Sequence, residues 1–426
     1  MVFDLRINGF TNCVIDDSLN DLSKNLPRWD TIPQTTTRIT GGKTIEHFLR
    51  PLSDLSGKMF LPAYDWGKKL DEGTYGKIYQ AYRKVYYQIS DDKTGVLNFK
   101  CNQDTRESIV IKESYISISP EEEKLSIDAK KKIIEREIDI LVYEATILTL
   151  AYQAVKRADM EYSVPKVYEI FLHSKSDNAN LPQMSSLCIS MEHIQGSTLL
   201  KYMNTHFKKT TKESNGVYFI DFVKQLAEIL EVLQKELRMN HRDIKINNVL
   251  VRNTPDNPVL VLIDFGFACI ARDIHDPRPE MTKIEAGVYF GENFACFKKG
   301  RDMVQFLYSV HCHFNFEDYF TTEVLDFIKS YTNVKYKYGT ANLLNGITTA
   351  GYHSDNRIRN LSYDEGIYIF LRRPEVDPLH CCPTNMLKDI DKFKKKQVQE
   401  KEKEKEKKEK EKEKEKEKEK EKETGT

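Results

Sequence analysis

From Tyr64 onward the apolar residues gather in strand-like runs, Ile78 to Tyr87 and Ile109 to Lys112, both rich in β-branched and aromatic side chains. The polar stretch between them, Ser90 to Ser108, reads as a long hairpin insertion. Residues 130 to 156 then predict a helix, and Val164 to Leu172 and Leu187 to Glu192 predict two strands around a polar loop. In Val217 to Met239 the positions Phe219, Phe222, Leu226, Ile229, Leu230, Leu233 and Leu237 recur at helical spacing, which predicts a core-facing amphipathic helix. Two short apolar runs, Val249 to Val251 and Val259 to Ile263, bracket the turn formers Asn253, Pro255, Asp256, Asn257 and Pro258, the pattern of a hairpin directly after a helix. Strands with one main helix, then a helix, a hairpin and further helices, predict an α+β fold with a small antiparallel-sheet lobe and a larger helical lobe.

The two ends of the chain read differently. Residues 1–60 mix short apolar groups with turn formers and carry no recognisable chemistry, so they are expected to form an N-terminal extension. Residues 394–426 are a low-complexity Lys/Glu tail. In strict Glu/Lys alternation, residues three apart carry opposite charge and residues four apart like charge, so helix-supporting and helix-opposing pairs nearly cancel. Disorder or a fraying helix is the expectation, with at most a weak electrostatic contact to a partner.

The 426 residues are 40% hydrophobic, enough for a sizeable core, and 65 basic side chains balance 65 acidic ones. Residues 400–423 hold 12 of each sign, so the remainder balances too, and overall charge gives no support to nucleic-acid binding. Eight scattered cysteines without a CxxC pair suggest reduced thiols of a cytoplasmic protein. The clusters His311, Cys312, His313 and His380, Cys381, Cys382 lack zinc-finger spacing and read as ordinary packing. Met1 to Phe10 has no basic segment followed by an apolar run, and no stretch approaches the ~20 apolar residues needed to span a bilayer. No membrane association is expected.

The chemistry concentrates in His241-Arg242-Asp243-Ile244-Lys245-Ile246-Asn247-Asn248, between the amphipathic helix and the hairpin, and in Asp264-Phe265-Gly266, immediately after the hairpin. Both are loops at strand ends on one face. Asp243 suits acceptance of a proton from a hydroxyl nucleophile, Lys245 suits a transferring phosphoryl group, and Asn248 with Asp264 suits a magnesium ion (Mg2+). These segments resemble the H-R-D-L-x-x-x-N catalytic loop and the D-F-G motif of protein kinases.

That resemblance extends upstream. Leu70-Asp71-Glu72-Gly73-Thr74-Tyr75-Gly76-Lys77-Ile78 resembles the kinase glycine-rich loop that covers ATP phosphates. Asp71 replaces the first glycine, Gly73 and Gly76 remain, and Ile78 would cover the base. Ile109-Val110-Ile111-Lys112 resembles V-A-I-K, with Val110 against adenine and Lys112 directed at the α- and β-phosphates. Glu144 is favoured over Glu137 as the glutamate orienting Lys112, because it lies closer to the next strand. Met191-Glu192-His193-Ile194-Gln195-Gly196 resembles the hinge between lobes, with Met191 guarding the pocket, Glu192 and Ile194 offering backbone contacts, and Leu250 forming the floor.

The resemblance implies a bilobal protein-kinase-like domain over residues 61–393, divided into a small lobe at 61–192 and a large lobe at 193–393. It implies ATP- and magnesium-dependent phosphoryl transfer to serine or threonine hydroxyls of a protein substrate. Arg242 and Lys245 favour this over a small-molecule kinase, and the joint presence of Lys112, Asp243, Asn248 and Asp264 favours it over a pseudokinase scaffold. Asp302, followed by an apolar run, resembles the aspartate that braces the catalytic loop. Beyond Gly266 the match thins: Phe290-Gly291-Glu292 keeps only the acid of A-P-E. Thr282 and Tyr289 are the hydroxyl residues between Asp264 and Glu292, while Asp273, Asp276, Glu280 and Glu285 could pair with Arg242 without phosphorylation. The insertions, short large lobe and tail also resemble divergent kinases of large DNA viruses.

Overall fold

The computed structural model describes residues 64–73, 76–90, 97–115, 122–174, 185–252, 258–270, 297–336, 339–342, 371 and 378–424. The extension 1–60, the loop tip at Thr74 and Tyr75, and the segment 271–296 with Thr282, Tyr289 and Phe290-Gly291-Glu292 lie outside them. The small lobe is an antiparallel sheet of β1 (Tyr64–Gly73), β2 (Gly76–Ser90), β3 (Leu97–Tyr115), β4 (Val167–Ser174) and β5 (Ser185–Glu192), in the order β1-β2-β3-β5-β4.

Register decides what each face carries, because residues directly opposite across strands share a face. Ile78 opposes Lys112, Gln80 opposes Val110, and Val110 in turn opposes Met191. One face therefore holds Ile78, Gln80, Val110, Lys112 and Met191. The other buries Ala81, Ile109, Ile111 and Cys188 under Trp66 and Tyr168. The stretch expected as a long hairpin insertion is the far end of the β2–β3 hairpin: the two strands pair out to Ser90 opposite Leu97, past an irregularity between Lys84 and Tyr86.

Helix α1 (Ile127–Arg157) begins at Ser126, whose hydroxyl accepts the Ala129 N–H at 3.3 Å. Its C-terminal half buries Ala145, Ile147, Leu148, Ala151, Ala154 and Val155 in a core continuous with the large lobe. After the short strand β6 (Gly196–Thr198) come α2 (Leu199–His206) and α3 (Lys212–Leu237). All seven apolar positions that predicted α3 are at most 2% exposed. Each such burial is worth about 1.5–3 kcal/mol relative to exposure, which is why the helix forms despite Gly216 in its second turn.

Strand β7 (Met239–Asn240), the hairpin β8 (Val249–Arg252) and β9 (Val259–Leu262), and β10 (Cys269–Ile270) follow, with β10 paired to β7. Helix α4 (Arg301–His313) is buried from Arg301 to Val310, as befits a helix enclosed on all sides by the lobe. Helices α5 (Phe316–Tyr319) and α6 (Thr322–Thr332), a hairpin of β11 (Asn333–Tyr336) and β12 (Gly339–Asn342), and α7 (Pro383–Thr424) complete the lobe.

Of the two states expected for the tail, disorder or a fraying helix, the structure shows helix: α7 runs unbroken across residue 394. Its first turns are seated in the large lobe, with Met386 and Ile390 fully buried, Leu387 and Phe393 packed against the core, and Lys394 paired with Asp221. A helix already nucleated by tertiary contacts avoids the initiation cost that penalises an isolated one, and Glu and Lys both propagate helix well.

Cysteine chemistry departs from the sequence expectation in one place. Cys188, Cys312, Cys381 and Cys382 are free thiols, but Cys269 is disulfide-bonded. No group of three or more potential metal ligands occurs among the described residues, and Cys381 instead donates to the Tyr331 carbonyl at 2.9 Å. No helix among them is long and apolar enough to cross a membrane.

Candidate functional site

The loop after β7 is held from beneath by one carboxylate. Asp302, at the start of α4 and wholly buried, accepts the Asn240 side-chain amide at 2.8 Å and the backbone N–H groups of His241 at 3.0 Å and Arg242 at 2.9 Å. Ser309, two turns further along α4, accepts the Ile246 N–H at 3.0 Å. Arg242 adopts left-handed backbone geometry, φ 66°, and its Nε donates to the Phe267 carbonyl at 2.6 Å. A non-glycine residue rarely takes this conformation, and here the bonds to Asp302 and Phe267 hold it.

His241 lies between the two chemical loops. Its Nε2–H donates to the Ile263 carbonyl at 3.0 Å, its Nδ1 accepts the Asp243 N–H at 3.4 Å, and its ring meets Phe265 at 4.6 Å between centroids. Burial lowers its pKa against the opposing pull of Asp302, Asp243 and Asp264, in keeping with the neutral tautomer these bonds require.

Asp243 is 3% exposed and fixed by two neighbours. The Asn248 amide donates both to its carboxylate Oδ2 and to its backbone carbonyl, each at 2.9 Å, while Lys245 Nζ lies 3.1 Å from Oδ2. Lys245 is 39% exposed, so its ammonium remains open to solvent. Since the amide N–H groups of Asn248 serve Asp243, its oxygen is the end suited to a hard cation.

Across the cleft, Lys112 Nζ lies 2.5 Å from Glu144 Oε1 and 3.0 Å from Asp264 Oδ1, joining β3, α1 and the loop after β9. Burial alone would lower the ammonium's pKa, but the charges of Asp264 and Glu144 outweigh it and raise it well above the ordinary range. Asp264 is correspondingly lowered, first by Lys112 and against burial, with further help from His241 and Lys245. Its side chain is 40% exposed, and it too has left-handed geometry, φ 64°. Glu137 belongs to the same helix, but its side chain lies outside the described residues.

Next to Lys112 the register already aligns the half-buried Ile78, Val110 and Met191. Opposite them, β8 alternates: Val249 and Val251 enter the core, whereas Leu250 and Arg252 share the less buried face. Arg252 reaches Glu192 at 2.9 Å, and Leu250 pairs with Thr198 across β6 and β8. Gly73 opposes Gly76 at the end of the β1–β2 pair. A Cβ on Gly76 would lie 2.1 Å from the Glu113 carbonyl, so only glycine lets β2 approach β3 beside Lys112. Asp71 is exposed, and its carboxylate accepts the N–H of Glu72 at 2.8 Å.

Several groups that position the site were not anticipated from sequence: Ser309 on Ile246, Phe267 on Arg242, Arg252 on Glu192, and Ser108 on His193 at 2.7 Å. Their partners lie between 25 and 85 residues away, so no local pattern announces them.

A family model described as protein kinase domain matches residues 93–287, a span that takes in Lys112, Glu144, the loop from His241 to Asn248, and Asp264. Serine/threonine-protein kinase atg1 of Dictyostelium discoideum is 40% identical over 78 residues, 18% of this chain and 11% of that relative. Serine/threonine-protein kinase ATG1a of Arabidopsis thaliana is 32% identical over 127 residues, 27% of this chain and 19% of the relative. The chain thus spans less than a fifth of the length of either curated relative.

Proposed function

We propose that the chain is a eukaryotic-like serine/threonine protein kinase and that it transfers the γ-phosphoryl group of ATP to serine or threonine hydroxyls of a protein substrate, a reading supported by the kinase-domain match and the two partial relatives. The observation that carries this reading is the double engagement of Lys112 by Glu144 and Asp264, facing an Asp243 held by Asn248 and Lys245. Fixed charges on both sides of one cleft are what phosphoryl transfer asks of a protein.

ATP fits the residues present. Ile78, Val110, Met191 and Leu250 offer apolar surface for a base, with the backbone of Glu192 and Ile194 at its edge. Gly73 and Gly76 let the β1–β2 turn approach phosphates, and Lys112 meets them as a fixed ammonium. Asp264, half open to the cleft, and the amide oxygen of Asn248 form an oxygen donor pair suited to magnesium, which would supply charge neutralisation of the triphosphate.

In the reaction, the Asp243 carboxylate takes the hydroxyl proton as the oxygen attacks, and the Asn248 amide keeps that carboxylate in place. Lys245, already 3.1 Å from Asp243, steadies the negative charge in transit between nucleophile and leaving group. The test is incorporation of label from radiolabelled ATP into generic protein substrates with and without magnesium. Label transfer that requires the metal is the expected result. Nucleotide binding without transfer to any protein would overturn the reading in favour of a scaffold, and transfer to a small hydroxyl compound alone would favour the other kinase class.

A further inference from the structure

Glu192 and His193 are consecutive residues whose side chains are tied to opposite lobes. Glu192 Oε1 accepts Arg252 of β8 at 2.9 Å, a link into the large lobe. His193 turns the other way and meets Ser108 of β3 at 2.7 Å through Nδ1. Ser108 sits two residues before Val110 and four before Lys112, so it shares their sheet face. The Gln80 amide donates to the Ser108 hydroxyl at 3.4 Å and also reaches the Tyr82 hydroxyl at 3.5 Å. The serine hydroxyl, with one donor and two acceptor sites, can serve Gln80 and His193 Nδ1 together in either tautomer of the imidazole.

The peptide joining Glu192 to His193 is therefore held at both flanks. Its N-terminal side is also fixed through the backbone, because the Glu192 N–H donates to the Lys166 carbonyl at 2.8 Å. We infer that the Ser108–His193 bond is a positioning device for base recognition: with the Glu192–Arg252 pair it sets the plane of the hinge peptide that presents hydrogen-bonding groups to adenine. A peptide plane free to rotate would spend part of its time with the carbonyl turned away from the base, and affinity would fall by that fraction. Ser108 and His193 touch neither the phosphates nor the reacting atoms, so they are positioning residues.

This inference rests on the proposal that the cleft binds ATP. The experiment is isothermal titration of the full chain with magnesium-ATP and, separately, magnesium-GTP, using wild type, Ser108→Ala, His193→Ala, the double variant and Ser108→Thr. Loss of one hydrogen bond predicts ATP affinity about threefold to tenfold weaker in each alanine variant. GTP, whose base presents a different edge, is expected to move less than about twofold. The double variant is expected to lose no more than either single, because one bond is broken in all three. Ser108→Thr keeps the hydroxyl on a strand position and is expected to restore wild-type affinity. Unchanged ATP affinity in the alanine variants would overturn the inference, as would an equal loss for both nucleotides or additive losses in the double variant. Failure of the wild type to bind ATP would instead overturn the proposed function from which it starts.

Discussion

The carboxylate of Asp302 accepts the backbone N–H of Arg242 at 2.9 Å from 60 residues away, and so holds the residue just before Asp243 in a left-handed conformation. The same carboxylate serves His241 and Asn240, so three donors converge on one buried anion. Asp302→Asn keeps the volume but turns an acceptor edge into a donor facing other donors. Unfolding in urea should show a loss of roughly 2–4 kcal/mol. A change within about 0.5 kcal/mol would mean that the loop holds its shape without this anchor.

Asp243→Asn retains an oxygen for the Asn248 amide but abolishes the basic carboxylate. Turnover should fall by at least about a hundredfold, while ATP affinity stays near that of the wild type. Steady-state turnover and nucleotide titration on the same preparation separate the two effects. Full turnover in this variant would exclude Asp243 as the proton acceptor.

Asp264→Ala removes both the proposed metal ligand and one of the two anions on Lys112. Magnesium-ATP should then lose most of its stabilising effect in a thermal-shift titration. Equal shifts for variant and wild type would place the metal elsewhere.

Acid should destabilise the fold from near neutrality. Burial lowers the pKa of His241 from 6.5, as burial and the charge of Lys68 lower that of His193. The unfolded imidazoles take up protons as pH drops below about 6.5, whereas the folded ones resist until lower values are reached. Their contribution is thus complete above that pH and is lost as pH falls towards the folded values, at no more than about 1.4 kcal/mol per pH unit for His241. Asp264 adds nothing to this slope, since its contribution is lost only as pH falls below its ordinary 3.8, and that of Lys112 only above 10.5. Urea midpoints at pH 7.5, 6.5 and 5.5 provide the check, and rising stability on acidification would contradict it.

The two parts of α7 should respond differently to change. Truncation after Phe393 removes the Lys/Glu-rich segment and the Lys394–Asp221 pair, and turnover should be retained. Met386→Ala hollows the large-lobe core and should cost about 2–5 kcal/mol. Circular-dichroism melts of both variants distinguish a dispensable rod from a structural one.

Legibility followed the range of the interactions. Helix α3 could be read because its apolar stripe recurs every three or four residues, and β8 and β9 because a dense group of turn formers separates two apolar runs. The chemical loops could be singled out because the proposed phosphoryl transfer asks for particular side chains at short spacing, and the structure joins Lys112 to Glu144 and Asp264, and Asp243 to Lys245 and Asn248. The β2–β3 ribbon was read as a hairpin insertion, but its polar residues gave no alternation from which the length of its paired strands could be read. Pair charges alone left the tail between disorder and a fraying helix, because they take no account of the seat provided by Met386 and Ile390. Ties such as Ser108–His193 join distant positions and leave no periodic trace.

The seat of α7 has a geometric consequence. Past Lys394 the helix continues to Thr424, roughly 45 Å at 1.5 Å per residue. A flexible segment of equal length would wander around a mean separation of roughly 30 Å with no preferred heading. Because three turns are clamped to the large lobe, the exposed part inherits a bearing from it. The far tip is carried like the end of a mast, and any rotation of the large lobe sweeps that tip through an arc several times wider than the motion at the base.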